Sequence, residues 1–143
     1  MDDVRWKQRF SSYASMLNFL QDSFRSKELP EFSELERVGI AKGFELCFEL
    51  LWKLLKDYLE YSEVEVNIIS PKNVIKIAAT SGILQTIGAD GDVLMQAHKT
   101  RNELVHVYDS EGFASAVKEI KDKYLPELIK VENYFKEIIN DAK

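Results

Sequence analysis

The sequence predicts an all-α fold, an antiparallel bundle of about five helices, and three observations support this. Apolar residues recur at steps of three and four along most of the 143 residues. Serine, proline and glycine stand where helices would begin or end, and only one short stretch alternates like a strand. Because 45% of the residues are apolar and 11% aromatic, residues 1–143 are expected to bury one core and form a single domain.

The first helix is expected to run from about Asp3 to Arg25. Its apolar residues form one stripe at alternating steps of four and three: Trp6, Phe10, Tyr13, Leu17, Leu20 and Phe24. Pro30 interrupts the pattern. Ser33, followed by Glu36 three residues later, is the capping-box signature and predicts the start of the second helix.

The second helix has the apolar coverage expected at the centre of the bundle. Its apolar residues cover well over half of the circumference: Phe44, Cys47, Phe48, Leu51, Leu54, Leu55, Tyr58 and Leu59. A polar stripe follows the remaining face: Glu45, Glu49, Lys53, Lys56 and Glu60. Residues 64–69 alternate loosely, but no partner strand is evident elsewhere, so they are predicted to form a loop.

A short third helix is predicted over residues 72–80, with Ser70 as its N-cap, Pro71 at its first position and Gly82 beyond its end. After a turn at residues 88–91, the fourth helix carries apolar residues on one side: Val93, Ala97, Leu104 and Val107.

The fifth helix is predicted to be capped by Ser110 and kinked by Pro126. Its apolar stripe continues almost to the end of the sequence: Phe113, Val117, Ile120, Tyr124, Leu128, Val131, Phe135 and Ile138.

Charge and composition exclude several classes of function. The net charge of -5 repels a polyanion and argues against sequence-independent binding to DNA. Lys99, Arg101 and the nearby histidines form the only cluster of positive charge that the sequence suggests. Cys47 is the single cysteine and is expected in the core, and no segment is apolar enough for membrane insertion. We therefore expect a cytoplasmic protein.

Familiar catalytic motifs are missing, including phosphate-binding loops, zinc-protease helices and serine nucleophiles between glycines. The Asp90-Gly91-Asp92 triplet resembles a magnesium-binding carboxylate pair, but no Gly-Ser or strand precedes it. A turn that begins a helix is the preferred interpretation. No metal or other cofactor is therefore predicted.

The fourth helix also carries a mostly polar wedge on the side away from its apolar residues, and it contains both histidines of the chain: His98, Arg101, Asn102, Val105 and His106. An imidazole, a guanidinium and an amide within two turns are the minimal groups for cleaving RNA without a metal. The alternative is a solvated helix face on which Arg101 pairs with an acidic neighbour and His106 caps the helix end. Spacing alone leaves both open.

Residues 101–108, RNELVHVY, resemble the Arg-x4-His-x-Tyr signature of the HEPN superfamily, in particular its HepT-like branch. Three further stretches are similar to the group catalogued as nucleotidyltransferase substrate-binding proteins: RWKQRF at residues 5–10, FELCFELLWKLLKDYL at 44–59 and SPKNVIKIA at 70–78. The four blocks span nearly the whole chain.

The resemblance implies a HEPN-like four-helix core and a homodimer whose motif helices face each other across a cleft that takes RNA or a nucleotide. It also implies a separate minimal nucleotidyltransferase as partner. Arg101 and His106 would be catalytic in a metal-independent endoribonuclease toxin, and the partner would neutralise the toxin by adenylylating Tyr108. Asn102 would orient His106.

Further side chains are expected near this cleft: Glu45, Glu49 and Lys53 from the resembling block on the second helix, and His98 from the polar wedge. Trp52 flanks the same stripe, in the cleft or at a dimer interface. A Glu49–Lys53 surface pair is the simpler alternative. For the whole protein, the alternatives are a non-catalytic nucleotide- or substrate-binding subunit of a two-component nucleotidyltransferase, or a bundle that only dimerises.

Overall fold

The structure, a computed structural model, describes residues 3–141, and every regular element in that range is helical, which confirms the predicted all-α bundle. The α-helices are α1 (Val4–Ser26), α2 (Glu34–Tyr61), α3 (Pro71–Thr80), α4 (Ile83–Ile87), α5 (Gly91–Glu103), α6 (Ser110–Glu119) and α7 (Leu125–Asp141). Within this range, none of the helices combines the length and apolar content that a membrane crossing requires.

Helix α2 lies at the centre, as its apolar coverage predicts, and packs against α1, α3, α5 and α6. All its predicted core residues are buried except Tyr58, which is half-buried with its hydroxyl 3.3 Å from that of Tyr134. Cys47 is among the buried residues. Because the apolar residues of α2 form the core, its polar stripe lies at the partly exposed surface, where a site can form.

Local capping begins the helices where the sequence predicts. The Ser33 hydroxyl accepts from the Glu36 backbone N–H at 3.1 Å, and the Glu36 carboxylate accepts from the Ser33 N–H at 2.8 Å. Ser70 caps α3 by accepting from Asn73, and residues 64–69 form a loop. Asp90 caps α5 through its carboxylate, which confirms the turn interpretation of the Asp-Gly-Asp triplet.

Two elements differ from the prediction. The short helix α4 was missed because it lies between Gly82 and Gly88, both at positive φ, where the sequence indicates only turns. The disruption expected at Pro126 takes the form of a π-helical turn over Ile120–Tyr124, immediately before α7. Proline cannot donate the next helical hydrogen bond, so a wider turn before it is a physical consequence.

The fourth predicted helix ends earlier than expected. Helix α5 stops at Glu103, Leu104–His106 form a 3-10 turn, and Val107 is extended. The cap of α6 is Asp109, which accepts from the Gly112 N–H at 2.7 Å, and the prediction of Ser110 as the cap is wrong. A Cβ at position 112 would lie 2.8 Å from Val107 Cγ1, so this tight approach to α6 depends on Gly112.

Candidate functional site

The three motif side chains lie in three different kinds of backbone structure at the end of α5 and just after it. Arg101 lies in the last turn of α5, His106 ends the 3-10 turn, and Tyr108 lies in the extended residues before α6. His106 is exposed, and Tyr108 is 85% exposed. The prediction of one helical wedge is therefore wrong for Val105 and His106, which lie beyond the end of α5 at Glu103.

Arg101 is held against α2 by Glu49. Its Nη1 lies 2.5 Å from Glu49 Oε2, and its guanidinium carbon lies 5.7 Å from the centre of the Phe48 ring. Trp52 donates its indole N–H to the same carboxylate oxygen at 3.0 Å, while Lys53 Nζ lies 3.2 Å from Oε1. The polar stripe of α2 thus fixes the position of the motif arginine.

The Glu49 carboxylate is stabilised in its charged form. Its partial burial acts to raise its pKa, but hydrogen bonds from Trp52 and Lys53 and the charges of Lys53 and Arg101 outweigh burial, so the pKa lies below its usual value. At neutral pH, Arg101 therefore already has an anionic partner. An incoming phosphate must compete with that carboxylate.

His98 is a packed imidazole rather than a free one. Its ring stacks on Phe48 at 5.9 Å, and its Nε2 lies 3.4 Å from the Asn102 side-chain nitrogen, which donates when Nε2 carries no proton. Its buried Nδ1 has no hydrogen-bond partner among residues 3–141. Burial, followed by the charges of Arg101 and Lys72, lowers the pKa of His98. This favours a neutral ring at neutral pH.

The side-chain amide of Asn102 contacts a different histidine from the one that the sequence suggested. We expected it to orient His106, four residues ahead, but it contacts His98, four residues behind. The helical geometry needed for the forward contact ends at Glu103, so the expectation is wrong for a local reason.

Two open grooves meet along Asn102. One, of about 460 Å³, lies between α2 and α5 and is lined by Lys42, Glu45, Leu46, Glu49, Arg101, Asn102 and Val105. The other, of about 490 Å³, lies beside α3 and is lined by Lys72, Met95, His98, Lys99, Asn102, Glu103 and His106. We call them the arginine groove and the histidine groove. Within one chain, Arg101 and His106 thus open onto different grooves.

Three residues around the arginine groove were not assigned a role from the sequence. Leu46 and Val105 are 43% and 63% exposed, so apolar surface flanks Arg101. Lys42 lies 3.6 Å from Glu45 on the same rim. The sequence showed only that Leu46 is an apolar residue beside the polar stripe, that Val105 is an apolar member of the wedge and that Lys42 is charged.

Trp52 is buried within the chain itself, with 8% of its surface exposed. Its indole N–H bond to Glu49 makes it a support for the ion pair within the chain. Among the described residues, no group of three or more histidine, cysteine, aspartate or glutamate side chains is arranged to hold a metal ion.

These features define a helical protein in which an arginine lies in the last turn of one helix and a histidine and an exposed tyrosine lie in the five residues after it. The model of a family described as nucleotidyltransferase substrate binding protein like matches residues 8–137. The chain belongs to this family, which confirms the resemblance to the HepT-like group. A search of curated protein sequences finds no match.

Proposed function

We propose that this chain is a HepT-like HEPN protein that works with a separate minimal nucleotidyltransferase, as a metal-independent endoribonuclease toxin whose activity adenylylation of Tyr108 switches off. The observation that carries the proposal is the 85% exposure of Tyr108, on an extended segment two residues after His106. A hydroxyl that another enzyme must modify has to be reachable from outside. Tyr108 meets that requirement.

In the proposed reaction, His106 takes the proton from a ribose 2′-hydroxyl, and the 2′-oxygen attacks the adjacent phosphorus. The bond from phosphorus to the 5′-oxygen breaks, and a protonated imidazole returns a proton to that leaving oxygen. The products are a 2′,3′-cyclic phosphate and a 5′-hydroxyl. Arg101 stabilises the charge that develops on the phosphoryl oxygens, a contribution that can reach about 3 kcal/mol in a water-excluded site.

A single chain offers Arg101 and His106 on opposite sides of Asn102, which supports a homodimeric site. Exposed Leu46 and Val105 border the arginine groove and supply apolar surface for a second copy. In such a dimer, the histidine groove of one copy faces the arginine groove of the other. The second imidazole then supplies the acid that complements His106.

Adenylylation of Tyr108 inhibits the proposed site by adding charge and bulk beside His106. The Tyr108 hydroxyl attacks the α-phosphorus of ATP, pyrophosphate leaves, and the phenolic proton passes to a base of the nucleotidyltransferase. The product carries an anionic phosphodiester and a bulky adenosine close to His106. Both charge and bulk oppose the entry of RNA.

The alternative function is a non-catalytic subunit that presents a nucleotide or substrate to its nucleotidyltransferase. The specific observation in its favour is the Glu49 carboxylate beside Arg101, because a net charge of -5 and an occupied arginine both disfavour a nuclease for long RNA. In this alternative, Tyr108 remains unmodified. The two functions therefore differ in one covalent product.

The decisive experiment is mass spectrometry of the chain after incubation with a minimal nucleotidyltransferase from the same genome, ATP and magnesium. We expect one adenylyl group on the wild type and on Tyr134→Phe, and none on Tyr108→Phe. A stable complex without any modified tyrosine would contradict the toxin–antitoxin proposal and support the substrate-binding subunit.

RNA cleavage is the second test. In the presence of a chelator, wild type is expected to cut RNA, whereas His106→Ala and Arg101→Ala are expected to be inactive. Adenylylated wild type should also be inactive, and Tyr108→Phe should resist this inhibition. Cleavage that survives His106→Ala would refute the assignment of the base.

A further inference from the structure

A third groove, of about 350 Å³, lies where the first half of α1 meets the middle of α2, and its lining is chemically one-sided. It is lined by Arg5, Gln8, Arg9, Ser12 and Leu50. The four polar side chains can all donate hydrogen bonds, and no carboxylate belongs to the lining. The groove is therefore suited to an anion.

Arg9 is held in place from behind by a buried carboxylate. Its Nε donates to Asp57 Oδ2 at 3.1 Å, and Asp57 is only 4% exposed. Lys56 Nζ lies 3.5 Å from the other oxygen of the same carboxylate. Because Arg9 donates to Asp57 through Nε and makes no other ion pair or hydrogen bond through its side chain among residues 3–141, its terminal nitrogens are available to a ligand in the groove.

Arg5 adds a second guanidinium one helical turn away. It is exposed, and among residues 3–141 no carboxylate lies within 4.0 Å of it in an ion pair. Like charges at positions i and i+4 of a helix repel each other, and an anion between Arg5 and Arg9 removes that cost. Positive charge was predicted only near Arg101. Arg5 and Arg9 lie one turn apart on α1, but their groove forms only where α1 meets Leu50 of α2.

We propose that this groove binds a phosphate group, supplied by a nucleotide or by the backbone of an RNA strand. It lies on the same side of α2 as the arginine groove, since Leu50 lines one and Leu46 lines the other, four residues and about 6 Å apart along the helix. An RNA strand can therefore contact both grooves at once. The RNA source rests on the proposed ribonuclease function, whereas phosphate binding itself does not.

The test compares two serines that differ only in the face of α1 they occupy. Ser12 lines the groove, and the adjacent Ser11 is exposed but does not. Ser12→Glu adds a carboxylate to the groove and leaves the Arg9–Asp57 pair intact, while Ser11→Glu makes the same change in net charge on another face. The probes are a short fluorescent 2′-O-methyl RNA, whose riboses cannot be cleaved by this chemistry, and ATP.

We expect Ser12→Glu to weaken probe binding by about fivefold, the effect of one unit charge at contact distance in water. Ser11→Glu should leave binding at the wild-type value. Arg5→Gln should reduce the slope of log affinity against log salt for the RNA by about 0.7, because one phosphate contact is lost. Weakening for RNA alone assigns an RNA strand, and weakening for ATP alone assigns a free nucleotide.

Equal effects of Ser11→Glu and Ser12→Glu on both probes would overturn the proposal, as would wild-type binding in the Ser12 variant or the absence of binding to either probe. These outcomes are independent of RNA cleavage. If His106→Ala still cuts RNA, the ribonuclease assignment fails, yet a selective effect of Ser12→Glu continues to support the phosphate groove.

Discussion

Replacing Glu49 by glutamine should strengthen the binding of anions in the arginine groove. In the folded chain, Glu49 lies 2.5 Å from Arg101 and also accepts hydrogen bonds from Trp52 and Lys53. Glutamine keeps an acceptor oxygen at this position but removes the negative charge. A phosphate that approaches Arg101 then no longer faces a competing carboxylate.

The size of the effect follows from the geometry. A phosphate oxygen on the far side of the Arg101 contact lies about 5 Å from the Glu49 carboxylate, roughly twice the measured separation of the ion pair. The two side chains are 23% and 37% exposed, so water screens the interaction. Coulomb's law with the dielectric of water then gives about 0.8 kcal/mol, or about fourfold tighter binding. The lost ion pair should cost less than about 1 kcal/mol of stability.

The assay is fluorescence anisotropy with the uncleavable 2′-O-methyl RNA at low salt. Glu65→Gln is the matched control, because it makes the same change in net charge on an exposed loop residue. We expect tighter binding for Glu49→Gln only. Binding equal to or weaker than wild type, with an unchanged circular dichroism spectrum, would refute competition. It would mean that Glu49 serves chiefly to hold Arg101 in its binding position.

Two other predictions concern stability. Gly39→Ala should stabilise α2 by about 0.5–1 kcal/mol, because the new methyl group meets nothing within 4 Å, whereas Gly43→Ala should destabilise by about 1 kcal/mol, because it would lie 3.1 Å from Phe19. Urea unfolding checks the opposite signs, and equal gains would contradict the packing argument. His98 has a lowered pKa, so the unfolded chain binds more protons between the folded value and 6.5. The contribution of His98 to the free energy of unfolding should be fully present above about pH 6.5 and should be lost as the pH falls through the pKa of the folded chain. Urea unfolding as a function of pH should show a smaller loss of stability in His98→Gln.

Most of the fold was predictable because the signals that create it are local. The stripe of α1 at alternating steps of three and four ended up buried from Trp6 to Phe24, and the capping box of Ser33 and Glu36 formed both of its hydrogen bonds. The helix that was not predicted, α4, also has a local explanation. A five-residue helix such as α4 contains too few residues for a periodic pattern, and two flanking glycines resemble a continuous turn.

The site was predicted less completely, since it depends on contacts between residues far apart in the chain. Spacing identified the residue types, but the partner of Arg101 lies 52 positions away on α2, and periodicity cannot choose Glu49 over Glu45 for that contact. The bond from Trp52 to Glu49 is local, three residues apart on α2, but it was missed because Trp52 was expected in the cleft or at a dimer interface. A polar stripe on a central helix is nevertheless a usable signal, because each such residue must face solvent or find a partner.

The Arg101–Glu49 pair also shows that the two sequence interpretations of the polar wedge are compatible. The simpler one expected Arg101 to pair with an acidic neighbour, and it does, while the functional one expected both residues near one cleft, and both line the arginine groove of the single chain. The cost of the pair falls on ligand binding rather than on folding, because a partly exposed ion pair adds little stability but places a repelling carboxylate near each anion that Arg101 binds. An anion that makes a second phosphate contact at Arg5 and Arg9 gains affinity that offsets this repulsion. A ligand with two phosphate groups is therefore favoured over one with a single phosphate, and this preference would make the site selective for a strand or a polyphosphate.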